Sequence, residues 1–416
     1  MRIKILMILP PLMLSILYGN STSLKSIVDN AYISNNSLQS YEYKKQSKQQ
    51  EINAQKKAYL PTVDIGASYQ YNNPTSAVTA GRIQTVYGTA SVDIFDWGRK
   101  SSLVNAKQYE YQASSLEKDA FAKNMTLDIV QSYFTAQKIS ANISSLKTKQ
   151  KELSYQNRRM AAFVRAGLAT NDDKDKLQAS YDDNSYNIST AQMTLDEQYE
   201  HLKLISGLEF DTLSQSSIVN PTTVKPESYE KPKIIEAQQN VLKENIDALN
   251  ATIMPQIKLQ NTYTFSNFED KPIGGFDGMF QTNKNTLMLT ATMRVYDGGV
   301  ASRQEEAIKL QGLALNEDML RSQKEQVSLY RVAKEKLSAL RSKIKSANSA
   351  AQASSSTYVS IKEKFGAGLV DNVSYLDALN SNAMAQFRVK EAQYDYEIAK
   401  SSFYYFAGKN PREYIK

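Results

Sequence analysis

Four segments of the chain alternate between apolar and polar residues with a period of two. In the first, the odd-numbered residues from Val63 to Tyr71 are apolar or aromatic, and the residues between them are mostly polar. The same alternation, interrupted once by Asn261, returns in three further segments: residues 86–94, 257–265 and 287–295. Because side chains on a strand point alternately to its two faces, this pattern predicts four β-strands, two in each half of the chain.

Long helices are predicted between the strands. Residues 98–167 and 299–368 each run for 69 residues between glycines without an internal proline. Apolar residues recur within them every three to five positions, for example Leu127, Val130 and Phe134. A helix of this length has no core of its own, so we expect it to pack along shorter neighbours. Residues 24–58 and 173–207 are predicted as such helices, lying end to end against the first long helix.

Glycines and acids mark the ends of these helices. Gly167 and Gly368 stand where each long helix must reverse, a position that favours positive φ. Asp173 and Asp371 follow shortly after, and an acid there caps a helix or stabilises its first turn. Asp371 in particular is expected to be an N-cap.

The chain contains an internal repeat. Phe95-Asp96-Trp97-Gly98 corresponds to Tyr296-Asp297-Gly298-Gly299, and Ala166-Gly167-Leu168 to Ala367-Gly368-Leu369, each at a separation of 201 residues. Gly207 and Gly408 are separated by the same distance. Repeated landmarks at one spacing indicate a duplication. Residues 21–213 are therefore predicted as the first repeat and 234–416 as the second. Residues 214–233, which hold three of the ten prolines, are predicted as an extended linker.

The N-terminus has the pattern of a secretory signal peptide. Arg2 and Lys4 precede an apolar run at residues 5–17, and small residues follow it. This predicts a signal peptide over residues 1–20, because the run is shorter than the ~20 residues that a membrane-spanning helix needs. The alternating strands permit two interpretations, soluble hairpins with one buried face or strands of an outer-membrane barrel. The signal peptide favours the barrel.

Composition argues against most enzyme chemistry. The chain has no Cys and one His, His201, which excludes thiolate metal sites and disulfides and makes His-based catalysis implausible. Its formal net charge of +7 falls to +5 when Arg2 and Lys4 are removed with the signal. That mild charge is spread along helices and does not indicate a nucleic-acid partner. We therefore predict no enzyme, no cofactor and no metal site.

The order of these elements and motifs resembles the TolC family of outer-membrane efflux and type I secretion channel proteins. The resemblance implies an α+β membrane protein whose duplicated helical hairpins form a periplasmic tunnel. It also implies a homotrimer, in which each chain contributes four strands to one shared twelve-stranded β-barrel in the outer membrane of a Gram-negative cell. The implied function is passive export, with a periplasmic adaptor protein and an inner-membrane transporter as partners.

The resemblance also implies functional residues. A ring of acids at the periplasmic gate aligns with Asp377 and Ser374, of which only the first keeps its acid. An aromatic residue and an Arg that lock the gate align with Phe365 and Val370, so the polar form of that lock is not expected here. The partner acid of the first half aligns with Asp173, or with Asp175 if the two-residue-longer first turn shifts the register. Asp371 is a further candidate at the gate. The helical-tip turns, Gly167, Leu168, Gly368 and Leu369, would contact the adaptor. The junctions between barrel and tunnel fall on Asp96, Gly98, Asp297 and Gly299.

One alternative is a periplasmic coiled-coil adaptor protein of an export complex. Such a protein also carries long helical hairpins, but it is expected to have one repeat and a compact β-rich body. The two equal repeats, each with its own pair of strands, favour the channel.

Overall fold

The structure is a computed structural model that describes residues 21–73, 78–222, 224–271, 278 and 280–416. The predicted signal peptide, residues 1–20, lies outside the described residues. The elements follow the chain in this order: β1 (Ser21–Thr22), α1 (Leu24–Ser34), α2 (Asn36–Lys57), β2 (Thr62–Tyr71), β3 (Arg82–Phe95), α3 (Arg99–Arg165), α4 (Asn171–Ser206), β4 (Thr212–Leu213), α5 (Glu230–Ala251), β5 (Gln256–Glu269), β6 (Asn283–Thr292), α6 (Val300–Gly366), α7 (Asn372–Phe406) and a 3-10 turn (Pro411–Tyr414).

The predicted strands are present, and three of them have different bounds. β2 covers the predicted residues, whereas β3 and β5 extend beyond theirs. The fourth strand was predicted at 287–295, but β6 ends at Thr292. Its last pair is Thr292 with Gln256, the first residue of β5. Pro255 precedes Gln256 and has no N–H to donate, so the pairing stops there.

The two long helices have the predicted extent. α3 and α6 contain 67 residues each, which corresponds to roughly 100 Å at 1.5 Å per residue. No helix among the described residues is both long enough and apolar enough to cross a membrane.

The prediction of one helix over residues 24–58 is wrong, because the helix breaks at Asn35. The backbone of Asn35 is extended, with φ −69° and ψ 116°. Its side-chain oxygen accepts a hydrogen bond from the Leu38 N–H at 3.0 Å and so caps α2. Its side-chain amide donates to the Ile205 carbonyl at 2.9 Å. The break therefore satisfies backbone groups on both α2 and α4.

The segment predicted as an extended linker is partly helical and packs closely. α5 begins at Glu230 and includes Pro232 in its first turn, where a missing N–H leaves no helical bond unmade. Ile218 is 2% exposed and forms a β-bridge with Ile415. Residues 218–220 are thus held against the C-terminus.

The described chain divides into two compact units, and each takes residues from both sequence repeats. Of the described residues, the first contains those within 21–38, 121–227 and 326–416, and the second contains those within 39–120 and 228–325. Among the described residues, the largest of three apolar clusters in the first unit includes Tyr133, Phe134 and Phe403. Buried Lys400 donates to the Ile218 carbonyl, and Glu397 accepts from the Ile218 N–H at 2.6 Å. The two charges also contact each other at 2.8 Å.

The second unit contains a four-stranded antiparallel sheet in the order β2-β3-β5-β6. Its apolar face is exposed, with Val63 at 73%, Ile65 at 83% and Leu289 at 65%. Hydroxyl pairs cross the other face, including Thr89 with Thr262 at 3.1 Å. The alternation predicted from the sequence is therefore present in the sheet, but neither face has a core behind it.

Ion pairs join α2 to α3 in the same unit. Lys48 contacts Glu110 at 2.8 Å, and Lys107 contacts Glu51 at 3.0 Å. Lys118 and Glu42 form a third pair, and hydrogen bonds from Lys118, Lys45 and Gln46 lower the pKa of Glu42 to about 2. α2 has few buried side chains, so these ion pairs add to a small apolar contact between α2 and α3.

We expect Asn35→Ala to destabilise the protein by about 1–2 kcal/mol, because it removes the cap of α2 and leaves the Ile205 carbonyl without its donor. The measurement is the unfolding temperature of the purified protein, followed by circular dichroism. Asn36→Ala is the matched control, since the exposed Asn36 is the next residue and caps nothing. Equal unfolding temperatures for the two variants would contradict the role of Asn35.

Candidate functional site

Each long helix ends in a turn closed by glycine. At the first turn Leu168 N–H donates to the Phe163 carbonyl at 2.8 Å, and Gly167 has φ +73°. At the second turn Leu369 N–H donates to the Lys364 carbonyl at 2.8 Å, and Gly368 has φ +77°. This pairing with a left-handed glycine is the Schellman arrangement. Leu168 and Leu369 are both 74% exposed, so the turns present apolar side chains to the surroundings.

Capping residues start the return helices. Thr170 is the N-cap of α4, and Asp173 lies in the first turn, where it accepts from the Thr170 hydroxyl at 2.8 Å. Asp371 is the N-cap of α7, as the sequence predicts, and it accepts from the Ser374 N–H at 2.8 Å. Hydrogen bonds from the Ser374 side chain and backbone hold the pKa of Asp371 below its usual value.

A half-buried acid joins the two helical hairpins near these turns. Glu152 on α3 accepts from the Tyr375 hydroxyl on α7 at 2.7 Å and from the Lys362 ammonium on α6 at 2.7 Å. Gln156 on α3 adds a third hydrogen bond at 3.0 Å. Tyr375 is fully buried. Glu152 therefore connects three helices, and we call Glu152, Arg159, Lys362, Phe365 and Tyr375 the tip cluster.

Aromatic packing and further polar contacts complete the tip cluster. The Phe365 ring stacks on Tyr375 with centroids 4.5 Å apart. Arg159 donates to the Gly366 carbonyl at 2.8 Å, and its guanidinium lies 5.9 Å from the centre of the Phe365 ring. Asn372 donates to the Asp173 carbonyl at 2.9 Å. The first hairpin and the second are thus joined by both polar and apolar contacts.

The pKa of Glu152 reflects two opposing effects. Burial alone would raise it, but the hydrogen bonds from Lys362, Gln156 and Tyr375 outweigh burial and hold it below the usual value of 4.5. Burial, followed by the hydrogen bond to Glu152, raises the pKa of Tyr375 above its ordinary range. The ionised acid and the neutral phenol are therefore the paired forms at neutral pH.

Only some of the predicted gate residues are brought together. Phe365, Gly368, Val370, Asp371, Leu168 and Asp173 line one pocket of about 240 Å³ with Arg159. Asp377, Ser374 and Asp175 are exposed, and Asp377 and Asp175 make no side-chain hydrogen bond or ion pair within the described chain. Phe365 cannot form a polar lock, as expected, but neighbouring residues supply polar contacts that the sequence analysis did not name.

The residues predicted at the junctions lie between strand and helix. Asp96 accepts from the Lys100 N–H at 2.9 Å, and Asp297 accepts from the Gly299 and Ala301 N–H groups, each at 2.8 Å. Each carboxylate thus satisfies free N–H groups at the start of a long helix. Gly98 and Gly299 both have φ +81°, which explains why glycine occupies these positions.

The tip cluster was missed because little in the sequence marks it. Glu152 is one of 43 acidic residues, and its partners Lys362 and Tyr375 lie 210 and 223 residues away. Within the described residues, no group of three or more acids or His has the arrangement of a metal site.

Comparison with known proteins relates this chain to outer-membrane proteins. Residues 27–208 match the family described as outer membrane efflux protein. The outer membrane protein TolC of Vibrio cholerae is 20% identical, over 84% of this chain and 82% of the relative. That of Escherichia coli is 22% identical, over 91% of this chain and 81% of the relative.

Solved structures share the fold over nearly the whole chain. A membrane protein from Pseudomonas aeruginosa superposes with a TM-score of 0.81 at 17% identity, covering 92% of this chain and 93% of the other. The Campylobacter jejuni CmeC outer membrane channel superposes with a TM-score of 0.80 at 15% identity, covering 92% of this chain and 85% of the other.

These similarities define the class of protein, an export channel of the outer membrane. The resemblance to the TolC family predicted from the sequence is confirmed, together with the mostly helical fold and the outer-membrane location. The relatives are channel proteins and not enzymes.

We expect Glu152→Gln to weaken the tip by about 1–3 kcal/mol, because buried Tyr375 and Lys362 lose a charged acceptor. Hydrogen exchange of amides in residues 358–379 measures this opening. Glu363→Gln is the control, since Glu363 is exposed on α6 and makes no ion pair within the described chain.

The same experiment has a pH dependence. Since folding lowers the pKa of Glu152, its stabilisation is complete above the usual value of 4.5 and is lost as the pH falls through the lower native value. Acid should therefore lower the protection of the tip amides, measured against their intrinsic exchange rates at each pH, more in the unmodified protein than in Glu152→Gln. Identical pH profiles for the two proteins would rule out this contribution.

Proposed function

We propose that the chain is the outer-membrane duct of a tripartite efflux pump or a type I secretion system and that it works as a homotrimer. The observation that carries the proposal is the four-stranded sheet with one exposed apolar face, one face of hydroxyl groups and two unpaired edges. The proposal is also supported by the similarity to outer-membrane channels along nearly the whole chain. This similarity favours a duct over a periplasmic adaptor.

The sheet has a structural reason to assemble with further copies. Within the described part of the chain, β2 and β6 each pair on one side only. Exposed strand edges and a large exposed apolar surface favour association with other chains or with lipid. Four strands are fewer than the eight of the smallest outer-membrane barrels. Pairing β6 of one copy with β2 of the next closes a barrel of twelve strands from three copies. The apolar face then meets lipid, and the hydroxyl face lines the lumen.

The duct conducts passively in this proposal. It needs no catalytic residue, cofactor or bound metal, because the energy for export comes from an inner-membrane transporter. The helical hairpins form the periplasmic tunnel. Their exposed turns, with Gly167, Leu168, Gly368 and Leu369, are the proposed contact for a periplasmic adaptor.

The periplasmic gate lies near the turns in this proposal. Asp377 of each copy contributes to a ring of acids at the trimer axis, and Ser374 leaves that ring with one acid per chain. The tip cluster holds the second hairpin against the first and so favours the closed tip. Opening requires that Lys362 and Tyr375 separate from Glu152.

The barrel orientation is tested by a pair of lysine substitutions on β2. Ile65→Lys places a charge on the apolar face, where a Lys near the middle of the bilayer costs about 2–4 kcal/mol. Ser68→Lys places the same charge on the hydroxyl face of the same strand. We expect Ile65→Lys to lower the amount of folded trimer in outer-membrane fractions and Ser68→Lys to leave it nearly unchanged. Equal tolerance of both substitutions would contradict a lipid-facing apolar surface.

The gate is tested in planar-bilayer recordings. Three Asp377 carboxylates near one axis attract cations, and a narrow throat of low dielectric strengthens the effect. We expect Asp377→Asn to lower cation selectivity and to weaken block by divalent and trivalent cations. Asp371→Asn is the control, because Asp371 is engaged in capping α7. If Asp371→Asn abolishes the block and Asp377→Asn preserves it, the ring lies one helical turn nearer the tip.

A further inference from the structure

Within the second compact unit, an open pocket of about 490 Å³ lies just beyond the ends of the strands. Its walls come from the first turns of α3 and α6 and from the last turns of α5. Most of the lining is apolar, and the apolar residues are Leu103, Ala248, Leu249, Ala307 and Ile308. We call this the junction pocket, because it lies where the sheet gives way to the long helices.

The lining of the junction pocket includes one charged residue, Arg99. The side chain of Arg99 is half-buried, and it has no hydrogen-bond or ion-pair partner within the described chain. Its Nε atom in particular is buried without an acceptor. Withdrawing a cation from water without pairing it is unfavourable, so an unpaired Arg in an apolar pocket indicates a ligand that supplies the anion.

Two acids that flank the pocket residues in the sequence contact lysines instead. Asp93, near the end of β3, contacts Lys100 at 3.0 Å. Glu305, in the second turn of α6, contacts Lys309 at 2.6 Å. No acid is among the residues that line the pocket. The charge of Arg99 is therefore not balanced by these neighbours.

Aromatic residues beside the pocket are typical of a membrane boundary. Trp97 precedes Arg99 by two residues, is 51% exposed and packs edge to face on Phe95 with centroids 5.2 Å apart. Its indole N–H donates at 2.7 Å to the carbonyl of Pro255, the residue before β5. Exposed Trp and Phe rings are favoured where lipid meets water. Phospholipid headgroups occupy the same level, so the pocket has an anion source next to it.

We propose that the junction pocket binds one phospholipid with an anionic headgroup. The guanidinium of Arg99 donates to the lipid phosphate, for which its planar set of N–H groups is well suited. Leu103, Leu249 and Ile308 contact the first part of the acyl chains. A net anionic headgroup is preferred to a zwitterionic one, because the latter brings a cation of its own towards Arg99.

This inference rests on the proposed position of the sheet in the membrane, and it adds a lipid site that passive conduction does not require. Bound lipid would fill the junction pocket and would supply the counter-charge that Arg99 lacks within the described chain.

Trp97 provides the test, because it is the one Trp of the chain and lies next to the pocket. The protein is reconstituted into phosphatidylcholine vesicles that contain increasing fractions of brominated phosphatidylglycerol or, separately, of brominated phosphatidylcholine. Bromine quenches Trp fluorescence at short range. We expect half-maximal quenching at a roughly fivefold lower mole fraction of the anionic lipid. Equal quenching by the two lipids, or quenching by neither, would overturn the inferred site.

A pair of Arg substitutions separates the site from general attraction of anionic lipid. Arg99→Gln should remove the preference for brominated phosphatidylglycerol. Arg303→Gln is the matched control, since Arg303 is exposed in the first turn of α6, is paired with Glu306 and does not line the pocket. It removes the same charge and should keep the preference. A preference that survives Arg99→Gln, or that is lost equally in both variants, would contradict a site at Arg99.

Filling the pocket gives a second readout that keeps Arg99 in place. Ala307→Phe puts a bulky ring into the lining of the pocket and should also remove the preference. Ser302→Phe is its control, because Ser302 is exposed on the same helix and does not line the pocket. An unchanged preference in Ala307→Phe would show that the lipid binds elsewhere.

A free anion and a lipid are distinguished by competition. Excess inorganic phosphate should leave the preference for brominated phosphatidylglycerol unchanged, because phosphate lacks acyl chains to fill the apolar part of the pocket. Loss of the preference in phosphate would show that the site takes a free anion and would overturn the assignment to lipid.

The outcome also separates this inference from the proposed function. Native mass spectrometry of the unmodified protein in detergent reports whether it is a trimer. A trimer without a lipid preference overturns the inferred site and leaves the duct intact. A single-chain mass overturns the proposed trimer, whereas a lipid preference that depends on Arg99 still supports the site.

Discussion

Helices of 67 residues depend on their neighbours for stability, and much of this structure follows from that constraint. A lone helix buries nothing, so α3 and α6 are stable only where other segments cover an apolar stripe. The covering helices are shorter and interrupted. α1 and α2 meet at Asn35, and α5 begins only after the packed residues 218–222. The buried Lys400 and Glu397 pair then holds that segment to α7.

Acids placed between helices also hold the helices together. Glu152 and Asp395 each contact cations on other helices, and neither lies in a large apolar core. A carboxylate accepts several hydrogen bonds at once and therefore fixes the relative position of several helices. Such contacts are also reversible, because separation exposes the charges to water. This combination suits the proposed gate, which closes and opens at the tip.

The surfaces left uncovered are as informative as the contacts that are made. The sheet exposes an apolar face and two edges. In a water-soluble monomer these features would favour aggregation. In a membrane-embedded ring of copies, each finds a complementary surface in lipid or in a neighbouring chain. The proposed trimer accounts for both the apolar face and the free edges of the sheet.

The sequence determined the features that depend on local geometry. The bounds of β2 follow from a period of two, and the turns at Gly167 and Gly368 follow from the need for positive φ. The 201-residue spacing of the motifs indicated the two hairpins, and with them the family resemblance and the region of the tip.

Tertiary structure decided what depends on distant partners. The break at Asn35 uses the Ile205 carbonyl, and the end of β6 depends on where β5 begins. Glu152 meets residues more than 200 positions away, so no local pattern marks it. Local patterns specify elements, whereas contacts between elements require the folded chain.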